Sequence, residues 1–423
     1  MTLYNVLDSG ATGDGVTNDS SAIQSAIDRC TASGGGTVLL PAGRVFLSGS
    51  FELKSHVTLH IEQGAILRAS LNPEHYRDRV WIEANSAEHI ALTGLGTIHA
   101  QGGQFMRAEE PHIFRAKPWR PRMMVLEGCT HVRLRDLTLR ESALWTVHLA
   151  GCQDVTITDL SILNDRKIPN CDGIALDCCQ NVRISGCHIE AGDDCIVLKT
   201  VRDFAHHGPC ENIVVSNCTL ASTSAALKIG TETVNDIRNV IFRGCTIRDS
   251  SRGLGIMLRD EGSVENILFT DMTVETRYFH TDWWGAAEPI YVTAIPRNTG
   301  QPIGHVRGVR FRNILCRSEN GAVLRGSPES ILEDVHLDGV HLALDRWTDF
   351  DDERHDLRPS DHLGLYDEPT SGVFIQHAAD VDLHRCSVQW HLPFAPYAAR
   401  RALVTHNVQR LQNDGIRTRF ADA

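Results

Sequence analysis

Asn181-Val182-Arg183-Ile184-Ser185-Gly186-Cys187-His188-Ile189 is one statement of a phrase that this chain makes repeatedly. Apolar Val182 and Ile184 alternate with polar neighbours, Gly186 breaks the run, and Cys187 and Ile189 resume it. That is the period of a strand, a bend and a second strand. Working outward, the phrase stands upstream at residues 131–139 and 154–162, and downstream at 212–220, 239–247 and 266–274. Its first apolar positions, Val132, Val155, Val182, Ile213, Val240 and Ile267, lie 23, 27, 31, 27 and 27 residues apart. Weaker copies begin near His56, His89, Gly308, Leu332 and Asp380. Strand-period units at this interval, with no helical stretch between them, predict stacked β coils. Leucine-rich repeats would keep one leucine frame, and propeller blades need a longer period. The expected fold is all-β, a right-handed parallel β-helix forming a single domain over 1–423.

Around that stack the sequence places a cap and three excursions. Asn18-Asp19-Ser20 offers an N-cap to a helix whose Ala22, Ile23, Ala26 and Ile27 share one face, and Gly34-Gly35-Gly36 ends it. Residues 1–50 therefore read as an N-terminal capping helix and first coil, and 51–400 as coils. Long loops are expected at 102–123, 276–304 and 347–370, and a C-terminal tail at 401–423.

A chain of 423 residues with 42% hydrophobic content can bury a large core, and its formal net charge of −12 disfavours nucleic acid and anionic membrane surfaces as partners. No stretch approaches ~18 consecutive apolar residues. The N-terminus lacks the basic head and apolar run of a signal peptide, so a cytoplasmic location is expected. The thirteen cysteines are scattered and without paired metal spacing, which reads as reduced, buried filler and no zinc site. No cofactor and no metal are expected, and the sequence leaves the oligomeric state open.

Two segments carry the chemistry. Asn170-Cys171-Asp172-Gly173 and Gly192-Asp193-Asp194-Cys195 each place acids before a short apolar run, 21 to 22 residues apart counting Asp172 to Asp193 or Asp194. In a stack of coils about 4.8 Å apart, such a period brings the acids of successive coils to one face. Carboxylates at close range repel, so one can hold its proton near neutral pH. An acid beside ionised carboxylates is what glycosidic cleavage requires: one group protonates the leaving oxygen and another activates water. Turn-forming aspartates are the bland alternative, and clustered oxygen ligands for calcium are another.

These segments resemble glycoside hydrolase family 28, the polygalacturonases and their relatives. Asn170-Cys171-Asp172 is similar to the family's Asn-Thr-Asp motif and Gly192-Asp193-Asp194 to its Gly-Asp-Asp. Residues 142–148, Ser-Ala-Leu-Trp-Thr-Val-His, are similar to its Ser-Pro-x-Trp-Thr-x-His stretch, and the opening Gly-Asp-Gly-x-x-Asn-Asp also matches. The resemblance implies an inverting hydrolase of pectin-derived or related oligosaccharides, with Asp193 as general acid and Asp172 with Asp194 holding and activating the water. Asn170 would join the substrate site. Two family motifs are missing. The Gly-His-Gly motif falls on Ser224-Ala225-Ala226, and Arg-Ile-Lys, which grips a galacturonate carboxylate, falls on Gly255-Ile256-Met257. Lys228 and Arg259 are the replacement cations at hand, for a uronate carboxylate or for hydroxyls of a neutral sugar.

Trp283 and Trp284 are candidates for a wall against which a sugar ring packs. The basic loop containing Arg107, Arg115, Lys117, Trp119, Arg120 and Arg122 is positioned to reach over the groove. His355 and His362 read as solvated loop histidines. Several long loops beside one groove suggest a closed pocket and exo action. The rival readings are a calcium-dependent β-helix lyase and a non-catalytic carbohydrate-binding β-helix.

Overall fold

The copies from 131–139 to 239–247 each become two strands joined by single residues in the left-handed region, and the copy at 266–274 lies within the one strand Val264–Thr276. The leading residues His131, Asp154, Asn181, Asn212, Asn239 and Asn266 all have φ between 55° and 59°, and the mid-phrase residues Asp136, Asp159, Gly186, Asn217, Gly244 and Asp271 are also left-handed. Asn, Asp and Gly tolerate that conformation best, which is why the phrase is punctuated by them. The computed structural model describes residues 2–350, 353–361, 364–391 and 400–420. The chain is 54% strand and 7% helix, with the long parallel pairing of a right-handed β-helix. It divides into two compact units, Met1–Asp193 and Asp194–Ala423.

In the first unit, strands Gln153–Thr158 and Gln180–Ser185 pair in parallel with Val155 opposite Val182 and Ile157 opposite Ile184. Ser161–Leu163 and His188–Ala191 repeat this with Ile162 opposite Ile189. All six apolar side chains are fully buried. The helix Ser20–Ala32 buries Ala22, Ile23, Ala26, Ile27 and Cys30 against the first coils. Its cap differs from the simple expectation. Asp19 occupies the N-cap position, but its carboxylate accepts from the backbone N–H groups of Thr12 and Gly13 at 2.7 and 3.0 Å. Asn18 Oδ1 accepts from the Ser20 N–H instead.

In the second unit, Cys210–Ser216, Ile237–Arg243, Val264–Thr276, Val306–Ser318 and Leu332–Leu344 stack in one register, with Val215, Phe242, Phe269, Phe311 and Leu337 aligned. The three phenylalanine rings stack at 4.7 and 5.0 Å. Burying one such side chain contributes about 1.5–3 kcal/mol, and the stack repeats that gain coil after coil. Outside the core, Asn239 and Asn266 each donate to the asparagine one coil back.

All thirteen cysteines are buried, and several thiols donate to backbone carbonyls of the preceding coil, as Cys152 does to Leu126 O at 3.2 Å. Two expectations about the excursions are corrected. The 276–304 loop contains a fully buried strand, Ile290–Ala294, paired with Arg252–Leu258 and Ala322–Arg325. The expected C-terminal tail contains Leu403–Asn413 and Arg417–Phe420, which pair in parallel with Val373–His384 and Ser387–Trp390 as one more coil. The 102–123 and 347–370 excursions each carry a short antiparallel hairpin, Met106–Glu109 with Phe114–Ala116 and Arg354–Asp356 with Leu365–Asp367.

Candidate active site

The first unit supplies Asn170, Asp172 and Asp193. Strands Arg122–Glu127, Val147–Ala150 and Ile174–Asp177 run in parallel, with Met124, Val147 and Ile174 aligned in the core. The Asp172 carbonyl accepts from Thr146 N–H at 3.0 Å, so the ladder reaches back to the acid itself. The turn before it is clamped by Asn164. Its Oδ1 accepts from Ser142 N–H, and its Nδ2 donates to Thr146 Oγ1 and Cys171 O at 2.8 and 3.1 Å. Asp172 is consequently 2% exposed.

Arg120 connects the basic excursion to this turn. Its guanidinium donates to Ala143 O, Pro169 O and Asn170 Oδ1 at 3.0, 2.5 and 2.8 Å. Asn170, in the left-handed region at φ 59°, donates in turn from Nδ2 to Asp193 Oδ2 at 3.3 Å. Burial lowers the Arg120 pKa, and the charges of Asp193 and Asp172 act in the opposite direction. Phe105, Met106, Ala143, Ile168 and Cys171 form an apolar cluster under the same turn, with Phe114, Ala116 and Trp119 packed on it. The excursion is thus anchored on the Asn-Cys-Asp motif.

The glycine of Gly-Asp-Asp has a steric reason. A Cβ on Gly192 would stand 2.2 Å from Ile168 O and 2.9 Å from Cys171 Sγ, and the Gly192 N–H donates to that sulfur at 3.1 Å. Gly192→Ala must therefore push the Asp193 backbone off its seat. It is expected to cost on the order of 1–3 kcal/mol of stability, as overpacking does. Catalytic misplacement of about 1 Å would lower kcat by about 10²-fold. Thermal melting and turnover of the variant check both figures.

The second unit opens on Asp194, which is 1% exposed. Lys228 Nζ donates to its Oδ2 at 2.7 Å and Ser224 Oγ to its Oδ1 at 3.1 Å. Strand Ala225–Thr233 places Leu227 and Ile229 inward, and Lys228 lies beside Val197 on one side and Gly255 on the other. Lys228 was expected to bind substrate; its ammonium is instead committed to Asp194, with only 6% of the residue exposed. Glu232, further along the same strand, accepts from Thr231 Oγ1 at 3.1 Å and lies 3.5 Å from Lys199 Nζ and 3.9 Å from Arg297 Nη2. Burial raises its pKa, but the charges of Lys199, Lys228 and Arg297 prevail and hold it at about 2.

Other expected site residues are placed differently. Arg259 is fully buried, donating to Leu258 O, Thr293 Oγ1, Pro359 O and Leu357 O, so it fastens the 353–361 segment and is spent before any ligand arrives. Trp283 is 5% exposed, whereas Trp284 is 38% exposed and remains the one of the pair that can meet a sugar face. His355 is buried, not solvated; burial first, then Arg325 and Arg252, push its pKa to about 3. His362 lies outside the described residues.

What covers these groups is the hairpin of Arg354–Asp356 and Leu365–Asp367. Leu357 plugs an apolar cluster of Met257, Tyr291, Ile295, Val323 and Phe374. The Asp356 carbonyl accepts from Tyr291 OH at 2.7 Å and from Arg252 Nη2 at 2.5 Å. Arg252 also pairs with the buried Glu288 at 3.1 Å and lies 3.9 Å from the Tyr291 ring centre.

Sequence reasoning singled out neither Asn164, Arg120, Ser224 nor Glu232 as site residues. A two-residue alternation from Lys228 through Gly230 was the available signal for Glu232. Arg120 stood among six basic or aromatic residues of one loop with nothing to distinguish it.

The family model for glycosyl hydrolases family 28 matches residues 30–343, about three quarters of the chain. A probable polygalacturonase of Vitis vinifera is 32% identical over 262 residues, covering 55% of this chain and 53% of that protein. The chain spans about half the length of the curated relatives it matches. Among solved structures, a family 28 exopolygalacturonase of Yersinia enterocolitica superposes with a TM-score of 0.74 at 20% identity, over 98% of this chain and 79% of that one. A hyperthermoactive exopolygalacturonase from Thermotoga maritima gives 0.59 at 21% identity, over 97% and 92%. Likeness at these identities establishes the fold.

Proposed function

Because the chain belongs to glycosyl hydrolases family 28, we propose that it is an inverting glycoside hydrolase acting from the ends of pectin-derived or related oligosaccharides. The observation that carries this reading is the contrast between two consecutive carboxylates. Asp193 is half-buried and receives an amide hydrogen bond from Asn170. Asp194 is sealed from solvent and gripped by an ammonium and a hydroxyl. Environments that differ this way push acid and base roles apart. Asp193 then donates the proton to the leaving oxygen. Asp194, held by Lys228, and Asp172 are assigned the role of activating the attacking water. Inversion follows where acid and base stand far enough apart to admit that water.

Exo action draws its support from the hairpin. Along the second unit the residues beside Lys228 on successive strands are Gly255 and Tyr291, and Tyr291 is fully buried beneath Asp356 and Arg252. An extended polymer lying along that face would be stopped there. Digests followed by chromatography should release only terminal sugars or short terminal fragments, and NMR should show the first-formed product with inverted anomeric configuration. Mixed internal fragments would sink the exo assignment, and retained configuration would sink the inverting one.

A further inference from the structure

Among the described residues, each cation near Lys228 in the second unit has an acid beside it. Lys228 pairs with Asp194 at 2.7 Å, Arg297 with Asp260 at 3.0 Å, and Lys199 faces Glu232 at 3.5 Å. A uronate carboxylate arriving there finds these three cations already beside acids and meets the Glu232 carboxylate. Glu232 differs from the other two acids. Asp194 receives direct donors on both oxygens, and Asp260 is held by Arg297 through both oxygens and by the Thr233 N–H. Glu232 accepts a single hydrogen bond, from Thr231 Oγ1, and its side chain is 37% exposed. Its remaining lone pairs are available to a ligand.

The ground beside it suits a sugar ring. Gly255, next to Lys228 in register and itself buried, leaves room over the strand: a Cβ there would touch nothing closer than Leu227 O at 3.5 Å. The far side is bounded by the 357–361 segment, which is fastened to Arg259 and, through the Asp361 N–H, to Arg297 O at 3.1 Å.

We propose that Glu232 makes the subsite beside Lys228 and Gly255 a receptor for a neutral sugar residue, accepting hydrogen bonds from its hydroxyls and excluding a uronate by like-charge repulsion. Charge-assisted hydrogen bonds from hydroxyls to a carboxylate are among the strong ones. Like charges juxtaposed at a binding site are a common device for rejecting the wrong partner. Burial opposes ionisation of Glu232, but Lys199, Lys228 and Arg297 prevail and hold its pKa at about 2, so mild acid does not relieve the exclusion.

This inference rests on the hydrolase reading for the word substrate, but its test does not need turnover. Short oligogalacturonides as free acids and as methyl esters differ in the charge at issue and in one methyl group per carboxyl. The wild type should favour the ester by about 10-fold or more in Kd, measured by calorimetry, and in kcat/KM where turnover is seen. Glu232→Gln keeps the shape and removes the charge; it should bring the two substrates to within about 2-fold, mainly by tightening the acid. A second variant, Glu232→Ala, should also relieve the repulsion but weaken the ester, because the hydroxyl acceptor is gone. Preference of the wild type for the free acid, or a preference ratio unmoved in both variants, would overturn the proposal. Binding that follows the predicted ratio with no hydrolysis of either ligand would leave the subsite standing and remove the hydrolase reading.

Discussion

Asp193→Asn is expected to lower kcat by about 10²-fold or more on natural glycosides, the range lost with a general acid, while leaving the fold intact. The substitution is nearly isosteric at a half-buried position that accepts a hydrogen bond from Asn170 Nδ2 at 3.3 Å. The new amide can still accept that bond through its oxygen, so thermal melting should move little. What disappears is the transferable proton. The consequence is specific to the leaving group: an aryl glycoside carrying nitrophenolate needs no protonation to depart, and on it the same variant should lose far less. If both substrate types lose activity equally, Asp193 positions the substrate and is not the acid. If neither loses activity, the acids serve only the turns.

The fold was legible because its physical demands recur in the sequence at fixed intervals. A left-handed residue is needed where each coil turns, so Asp154, Asn181, Asn212, Asn239 and Asn266 come back in register. The interior needs one apolar face per strand, so the alternation comes back with them. Gly192 was legible as part of a motif for a reason that is now steric, its contact with Ile168 O. Legibility failed where an excursion broke the interval. The core strand Ile290–Ala294 lies opposite Leu254 at Ile290, 36 residues on, where the preceding coil, Leu227 to Leu254, takes 27. The final coil was unreadable for another reason: its strands are mostly exposed, and strands without a buried face carry weak alternation. Arg259 and Trp283 looked like ligand-facing residues by type. Their burial is decided by the segment near residues 353–361, about 100 positions from Arg259, and no local pattern reports a contact of that range. Arg120 escaped notice in the same way, because its partner Asn170 is 50 residues away.

Lys228→Met is expected to be the most damaging single change in the second unit. Lys228 and Asp194 are 6% and 1% exposed and joined at 2.7 Å. Methionine fills much of the lysine stem but leaves Asp194 with the Ser224 hydroxyl in place of an ammonium. Breaking a buried pair from one side costs about 3–5 kcal/mol, because a charge is left in a poor solvent. Activity should fall in parallel by about 10²-fold or more, since Asp194 without its ammonium partner is no longer held in place to serve as base. The double variant Lys228→Met, Asp194→Asn separates the two effects. With both charges gone, chemical denaturation should show most of the lost stability restored, while turnover stays low. Recovery of activity in the double variant would mean that Asp194 never supplied the base. A single variant as stable as the wild type would mean that the ammonium is not what holds Asp194. Lys228 thus positions Asp194 as a base, and that role commits the ammonium that would otherwise have been at hand for substrate.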